Sequence, residues 1–280
     1  PDGTRKQSAY DIELQELRPH WFTGVNLEGL RITQRNDAAP EEALEFYFDN
    51  LTLRPSLFGL VRGKYDVSFA AEVGAGNIDG NYASDEEEVA FEADLEDVDL
   101  HELKILQSLI GLPAKGMLNG QIELQVATEA ENTEGTVDLS IKGLSIGDGK
   151  AKFKTKLMPT GMTIERIAAG DLTAKITVTK GVGKVEELKA KGKDLELEGW
   201  GEIRPRNPLG QTGLDVLIRF KFSEEYRTRS DMNIGLFMLL DNDPNIRRAR
   251  SDDGWLQYRL RGTLNRVQHR PDGRARPRRS

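Results

Sequence analysis

Histidines are the side chains of this chain best suited to acid–base or metal chemistry near neutral pH. There are three, His20, His101 and His269, and none has a second metal-ligating residue at helical or hairpin spacing. Because a histidine site needs several such partners, we interpret all three as residues without a catalytic or metal-binding role. The chain contains no cysteine, which excludes disulfides, thiolate metal sites and cysteine nucleophiles.

Two glycine-rich segments share the composition, but not the spacing, of phosphate-binding loops. Residues 74–80 read GAGNIDG, and a strand pattern follows where a dinucleotide-binding fingerprint requires a helix. Residues 181–184 read GVGK and lack the spacing and the hydroxyl residue of a P-loop. Both segments are predicted to be turns between strands.

Three residues near the end of the chain have the spacing with which a calcium loop begins. They are Asp241, Asp243 and Asn245. The sixth position of such a loop is normally glycine and the twelfth glutamate, but here they are Ile246 and Asp252. Without the glycine the loop cannot make its sharp turn, so we reject a calcium site.

The remaining polar candidates are pairs of acids and one tripeptide. Asp97/Asp99 and Glu186/Glu187 have the residue types of an acid and a base, but nothing in the sequence indicates a pocket or a raised pKa. Residues 50–52, NLT, match a glycosylation acceptor, a tripeptide too common to be informative. We therefore predict no catalytic, cofactor-binding or metal-binding residue, no cofactor, and no enzymatic activity.

Charge is distributed unevenly along the 280 residues. Through Glu134 there are 10 Lys/Arg against 27 Asp/Glu, and the remainder has 29 against 19. After Thr263 there are six arginines and one aspartate, with two prolines. This end either adheres to anionic lipid or nucleic acid, or is a solvated tail. Since no aromatic residue is interleaved with the arginines, we predict no nucleic-acid partner, and we expect residues 264–280 to be a disordered basic tail.

The elements that carry these residues are predicted to be strands. Between Gly116 and Leu157, apolar residues alternate with polar ones and the alternation is interrupted by Gly, Asp and Asn turns. That pattern is typical of consecutive antiparallel strands with one apolar and one solvated face, and it recurs before and after this segment. Two helices are predicted, one over residues 100–112 with Asp99 as N-cap and one over residues 232–240.

The turn spacing predicts roughly fifteen to eighteen strands. The apolar face of such a sheet must be buried, and a flat sheet would leave it exposed. We therefore predict a mainly β fold: a long antiparallel meander curled into a β-roll or taco-like twisted sheet with one or two short helices. Residues 1–263 are expected to form one elongated domain, with a subdivision, if any, near residues 100–115. The residues predicted to line the interior are Leu118, Ile122, Leu124, Val137, Leu139, Ile141, Val216, Ile218 and Phe220.

The sequence has no apolar run of about 20 residues, the length that a membrane-spanning helix requires. It begins at Pro1 without an initiator methionine. We therefore expect that a segment upstream has been removed, and that this segment holds a signal peptide or a membrane anchor.

Several segments, in order, resemble the GspN-type component of bacterial type II secretion systems. They are ELRPHWFTGVNLEGLRI (Glu16–Ile32), LRPSLFGLVRGKYDVSFAAEVGAGNIDGNY (Leu53–Tyr82), DVDLHELKILQSLIGLPAKGMLNGQIEL (Asp97–Leu124), IKGLSIGDGKAKF (Ile141–Phe153) and KAKGKDLELEGWGEI (Lys189–Ile203). The last third of the chain also resembles the C-terminal repeat of AsmA-like proteins, in which short strands end in glycine-rich turns.

The resemblance implies a periplasmic β domain attached to the bacterial inner membrane through an anchor upstream of Pro1. It implies other type II secretion subunits as partners. The family has no catalytic residues that could be assigned to positions of this chain. The first functional hypothesis is therefore a non-enzymatic component that contributes to assembly of the protein export machinery. The alternative is an AsmA-like groove that binds or transfers lipid acyl chains. A glycan-acting enzyme is a third hypothesis, disfavoured because no acid/base pair can be named.

Overall fold

A computed structural model of the chain describes residues 10–20, 24–34, 45–56, 59, 64–103, 112–153 and 161–274. Strands make up 64% of the structure and helices 14%, which confirms the predicted mainly β class. Fifteen strands form one antiparallel sheet that is not closed into a barrel, and two short strands form a separate hairpin.

The strand bounds follow the alternating segments of the sequence. They are β1 (Tyr10–Glu13), β2 (Glu16–His20), β3 (Gly24–Gln34), β4 (Glu45–Pro55), β5 (Tyr65–Val73), β6 (Gly76–Ser84), β7 (Glu88–Asp99), β8 (Ala114–Ala127), β9 (Glu134–Ile146), β10 (Lys152–Phe153), β11 (Met162–Thr163), β12 (Ile167–Thr179), β13 (Val182–Lys191), β14 (Leu195–Arg204), β15 (Gly213–Phe222), β16 (Leu256–Thr263) and β17 (Arg266–Pro271).

The sheet is a meander in which each strand pairs with the strand before it and the strand after it. Two places depart from this order. Both β1 and β2 pair with β3, and β9 pairs with β12 because the β10–β11 hairpin lies outside the large sheet. Strands β7 and β8 pair directly, so the sheet is continuous past the position where the sequence suggested a subdivision.

The register places all nine residues predicted for the interior on the same face of the sheet. Leu118 pairs with Ile141, Ile122 with Val137, and Leu139 with Gly120. Val137 also pairs with Ile176 of β12, and the same face continues through β13 and β14 to Val216 on β15. The predicted inside and outside assignment is therefore confirmed, because a shift of one residue would have placed these side chains on the solvated face.

Three residues with a left-handed backbone conformation share one kind of contact with a neighbouring strand. Each of them donates its backbone N–H to an Asp or Asn side chain on a neighbouring strand. The pairs are Gly74 (φ 59°) with Asp49 at 2.9 Å, Asp97 (φ 48°) with Asn119 at 3.0 Å, and Gly143 (φ 64°) with Asp171 at 2.8 Å. The strand register shifts beside Asp97 and beside Gly143, and such bulges increase the local twist of a sheet.

Four short helices accompany the sheet in the described part of the chain. They are α1 (Leu100–Leu103), α2 (Glu224–Arg227), α3 (Asp231–Asn242) and α4 (Pro244–Ala249). The helix predicted over residues 232–240 is confirmed as α3. The Asp99 carboxylate accepts the His101 N–H at 2.8 Å, as predicted for the start of α1, and residues 104–111 of that predicted helix lie outside the described residues.

The structure corrects two predictions. The described residues contain four helices instead of one or two, because α2 and α4 are too short to give a periodic apolar pattern. The prediction of disorder from residue 264 is wrong through residue 274, since β17 pairs with β16 and the Gly273 N–H donates to the Arg248 carbonyl at 3.0 Å. Residues 275–280 lie outside the described residues.

Candidate functional site

The most extensive feature of the sheet is a face without charged side chains, which we call the apolar face. Its central row is a chain of directly paired residues that crosses ten strands, from β5 to β9 and from β12 to β16. The row runs Phe69, Gly80, Ala93, Ile122, Val137, Ile176, Val185, Gly201, Val216 and Leu260. No member of the row has a charged or hydrogen-bonding side chain. Nine strand spacings make the row about 45 Å long.

The opposite face is polar at the equivalent positions of β6 to β9, β12 and β13, whereas β14 and β15 carry Trp200 and the buried Leu217 there. One row of direct partners there runs Asp79, Asp94, Gln121, Asp138, Lys175 and Glu187. Lys175 and Asp138 form an ion pair of 2.9 Å. The two rows explain the alternation in the sequence, because successive side chains of a strand point to opposite faces.

Glycines on the apolar face leave room for neighbouring side chains to lean over the sheet. The rings of Phe69 and Phe91 stack at 6.0 Å between centroids, although their strands are separated by β6. Gly80 of β6 lies beneath them, and a Cβ there would be 2.5 Å from the Phe69 ring. Leu188 lies over Gly199 in the same way, at 2.5 Å from a Cβ at that position. Side chains from alternate strands therefore converge on this face.

One end of the apolar face has a packed cluster of buried residues, and at the opposite end Val89, Val126 and Val178 are also buried. Val73, Val98 and Leu118 belong to that cluster on the sheet side, and α1, α2 and α3 contribute Leu100, Leu103, Tyr226, Leu236 and Phe237. In the central row, Ala93, Val185 and Val216 are buried, whereas the other seven residues are half-buried. In a two-layer sandwich the central row would be fully enclosed. The described residues place no second sheet of comparable size over this face.

Two kinds of contact fasten the helices to the sheet at that end. The Tyr226 hydroxyl donates to the Glu165 carbonyl at 2.8 Å, and burial raises the pKa of this phenol. The carboxylate of Asp194, which is almost fully buried, pairs with the guanidinium of Arg229 and accepts the Ala168 N–H at 2.8 Å. The pair could not be predicted from the sequence, because no local pattern relates two residues that are 35 positions apart.

The histidines that the sequence analysis considered remain apart. His20 lies on β2, and His101 is exposed on α1. His269 is exposed on β17, at the other end of the strand order. In the described part of the chain, no group of three or more His, Asp or Glu side chains has the geometry of a metal site.

The glycine-rich segments are turns, as predicted. Gly74 and Ala75 connect β5 to β6, and Lys180 and Gly181 connect β12 to β13. Neither segment precedes a helix, so neither provides the N–H groups that a phosphate site requires.

The carboxylates of the supposed calcium loop have separate structural roles. Asp241 pairs with the guanidinium groups of Arg227 and Arg250. Asp243 caps α4, with its Oδ1 accepting the Asn245 N–H at 2.7 Å. Both carboxylates are therefore occupied by groups of the protein itself.

The polar face carries a shallow cleft of 360 Å³ with three carboxylates in its lining. Asp79 and Asp94 are direct cross-strand partners there, and Asn77, Glu96 and Gln121 are the other polar residues of the lining. All five side chains are exposed. The cleft is thus a solvated acidic surface without the enclosed polar groups that fix a ligand.

Chemically, the central row of the apolar face offers an aliphatic and aromatic surface and no group that could act as a nucleophile, acid or base at neutral pH. On the same face, the exposed His269 of β17 is the direct partner of Leu260. None of the helices in the described residues is long and apolar enough to cross a lipid bilayer. Comparison of the chain with protein-family models, with curated proteins and with solved structures found no match.

Proposed function

We propose that the protein is a non-enzymatic binding protein whose apolar face accommodates the acyl chains of lipids. The observation that carries this proposal is the unbroken apolar row across ten strands, most of which is only half-buried. Apolar area left in water is unfavourable by about 25 cal/mol per Å², so such a surface favours an apolar ligand.

The chemistry of the face suits a flexible hydrocarbon better than a ligand with polar groups. An acyl chain requires no hydrogen bond along its length, and the central row offers none. The binding energy would come from buried area, so chains of different structure would bind with similar affinity per carbon. Polar head groups would remain at the rim of the sheet, where exposed tyrosines such as Tyr65 and Tyr82 lie.

A second candidate is a periplasmic, membrane-anchored component of a type II secretion system, as the resemblance to GspN-type proteins implies. The specific observation in its favour is that the sheet is not closed, so that β1 and β17 lie at its two ends. Edge strands are sites at which other proteins add a strand. The two candidates are compatible, because an assembly component can also hold lipid.

The acyl-chain proposal is tested by native mass spectrometry after gentle purification and by titration with a fluorescent fatty acid. Ile122→Gln places an amide in the central row, and we expect it to weaken binding about tenfold. The matched control is Glu123→Gln, at the next position of β8 on the polar face, which should bind normally. Absence of any bound acyl species, together with no fatty-acid binding, would contradict the proposal.

The secretion candidate is tested separately by cross-linking. Since the chain has no cysteine, Gln268→Cys on β17 provides a single reactive thiol at the edge of the sheet. Cross-links to secretion-system subunits in cells would support this candidate. A cross-linking pattern without any such subunit, compared with a Glu123→Cys control on a central strand, would argue against it.

A further inference from the structure

Helix α3 exposes apolar side chains that the fold does not use. Met232, Ile234, Met238 and Leu239 are 38%, 44%, 67% and 47% exposed. On a helical wheel with 3.6 residues per turn they lie on one side, together with Gly235 and with the polar first and last residues of the helix, Asp231 and Asn242. We call Met232, Ile234, Gly235, Met238 and Leu239 the exposed stripe of α3. A surface helix normally turns a polar face to solvent, so this arrangement is unusual.

The other side of α3 is fully engaged with the rest of the protein. Leu236 and Phe237 are buried, and the Phe237 ring contacts those of Phe222 and Tyr226 at 5.1 and 6.0 Å between centroids. The buried Asn233 donates to the Tyr226 carbonyl at 2.7 Å. The helix is thus held in a fixed orientation, and the exposed stripe is a permanent feature of the surface.

Positive charge gathers at the C-terminal end of the stripe. Arg247 donates to the Asn242 carbonyl at 2.9 Å, so its guanidinium lies at the end of α3. Arg248 follows it, exposed and without an acidic partner among the described residues. From Pro244 to Arg274 there are eight arginines and three aspartates, and three of these arginines (Arg250, Arg259 and Arg261) pair with Asp241 or Asp215 outside this range.

The carboxylate of α3 nearest to this end is already neutralised. Asp241 pairs with both Arg227 and Arg250, so it does not offset the charge of Arg247 and Arg248. An anionic surface therefore complements this end of the helix.

We propose that the exposed stripe of α3 docks on the surface of an anionic lipid bilayer. The side chains of the stripe are aliphatic, and the polar residues on the same side, Asp231 and Asn242, lie only at the two ends of the helix. Protein interfaces, by contrast, are enriched in Tyr, Trp and Arg at their centres. Twelve residues span about 18 Å, too short to cross a bilayer but suitable for lying in its interface. The arginines at its end would contact phosphate head groups. This docking does not depend on whether the apolar face carries an acyl chain.

The test is flotation of the purified chain with vesicles of phosphatidylcholine, with or without phosphatidylglycerol. The wild type should bind the anionic vesicles, and more weakly at high salt. The double variant Met238→Ser/Leu239→Ser should lower the partition coefficient about tenfold or more, because it removes the most exposed apolar area. The matched control is Ile12→Ser/Leu264→Ser, whose side chains are 65% and 51% exposed elsewhere. It should bind like the wild type.

Two further measurements separate the outcomes. Met238→Cys labelled with an environment-sensitive dye should shift its emission to the blue when anionic vesicles are added, since the chain has no other cysteine. Arg247→Gln/Arg248→Gln should bind more weakly and with a smaller dependence on salt. Absence of vesicle binding by the wild type, or an equal loss in the control pair, would overturn the proposal. It would also be overturned if the Met238/Leu239 variant lost only self-association or a protein partner.

Discussion

The buried pair of Asp194 and Arg229 is predicted to hold α2 and α3 against the sheet. Asp194 lies in the β13–β14 turn with 3% of its side chain exposed, and its carboxylate accepts hydrogen bonds from Ala168 and Arg229. The Asp194 carbonyl accepts the Ser223 N–H at 2.9 Å. The Arg229 guanidinium also lies 5.0 Å from the centroid of the Tyr226 ring. One carboxylate thus connects β12, the turn and the start of the helical segment.

The cost of breaking the pair depends on which partner is removed. Breaking a buried pair typically costs about 3–5 kcal/mol. Arg229→Ala leaves a buried carboxylate that still accepts the Ala168 N–H. We expect this variant to lose about 3 kcal/mol in the free energy of unfolding. The loss should be near the lower limit of that range because 31% of the Arg229 side chain is exposed. Asp194→Ala leaves a guanidinium that can reach water and an unpaired Ala168 N–H, for which we expect about 2 kcal/mol.

The double variant tests whether the two side chains act as a pair. Removing both leaves neither an unpaired charge nor a strained partner, so its loss should fall short of the sum of the single losses by about 1–2 kcal/mol. The measurement is urea denaturation at neutral pH, followed by circular dichroism and by tryptophan fluorescence. In thermal unfolding each kcal/mol should correspond to about 2–4 °C.

The control is Arg204→Ala, which breaks an exposed pair with Glu202 of 2.8 Å. Exposed pairs contribute about 0–1 kcal/mol, so this variant should remain close to the wild type. If Arg229→Ala were no more destabilising than Arg204→Ala, or if the two losses at Asp194 and Arg229 were additive, the reasoning about this pair would be refuted.

Three further predictions concern the backbone, the pH dependence and the C-terminal strand. Gly120→Ala should lower the free energy of unfolding by about 3 kcal/mol or more, because its Cβ would lie 2.1 Å from the Asp138 carbonyl oxygen. A Cβ at Gly143 would meet no other atom, so Gly143→Ala should cost only the strain of a left-handed backbone, about 1 kcal/mol, in the same urea titration. Hydrogen bonds from Arg259 and Arg261 lower the pKa of Asp215 to about 2, so its stabilisation is present above about pH 4 and is lost as the pH falls towards 2. The stability difference between the wild type and Asp215→Asn, about 1 kcal/mol at neutral pH, should therefore disappear over that range, and a difference independent of pH would contradict the assignment. Truncation after Thr263 removes β17 and should cost about 2 kcal/mol of its ladder hydrogen bonds, while an unchanged melting temperature would mean that this strand contributes nothing.

The alternation of the sequence was sufficient to predict the strands and their faces. Leu139 and Ile122 were assigned to the interior because apolar residues recur at every second position, and the register confirms that assignment. A one-residue error would have inverted every strand, so the prediction was a demanding one. The alternation does not show which residues become left-handed or where the strand register shifts.

The left-handed positions Gly74, Asp97 and Gly143 are held by side chains that are distant in the sequence. Asp49, Asn119 and Asp171 look like ordinary polar residues of strands and turns, yet each accepts the N–H of a left-handed residue 22 to 28 positions away. Such a role is decided by strand register, which a local pattern does not specify. The composition of the C-terminal segment misled the prediction for the same reason, since pairing with β16 outweighs its content of arginine and proline.

Helix α3 is the element for which the sequence says least about which side is buried. Its residues are apolar on almost every side, so the sequence predicts a helix but gives no basis for choosing which side is buried. The choice is made by Asn233 and Phe237, whose contacts with Tyr226 turn Met238 and Leu239 outward. If both proposals hold, one side of this helix closes an end of the apolar face while the other lies on a bilayer. A lipid chain would then have a short path from membrane to sheet, and the Arg229→Ala variant should impair vesicle docking at temperatures where the sheet itself is still folded.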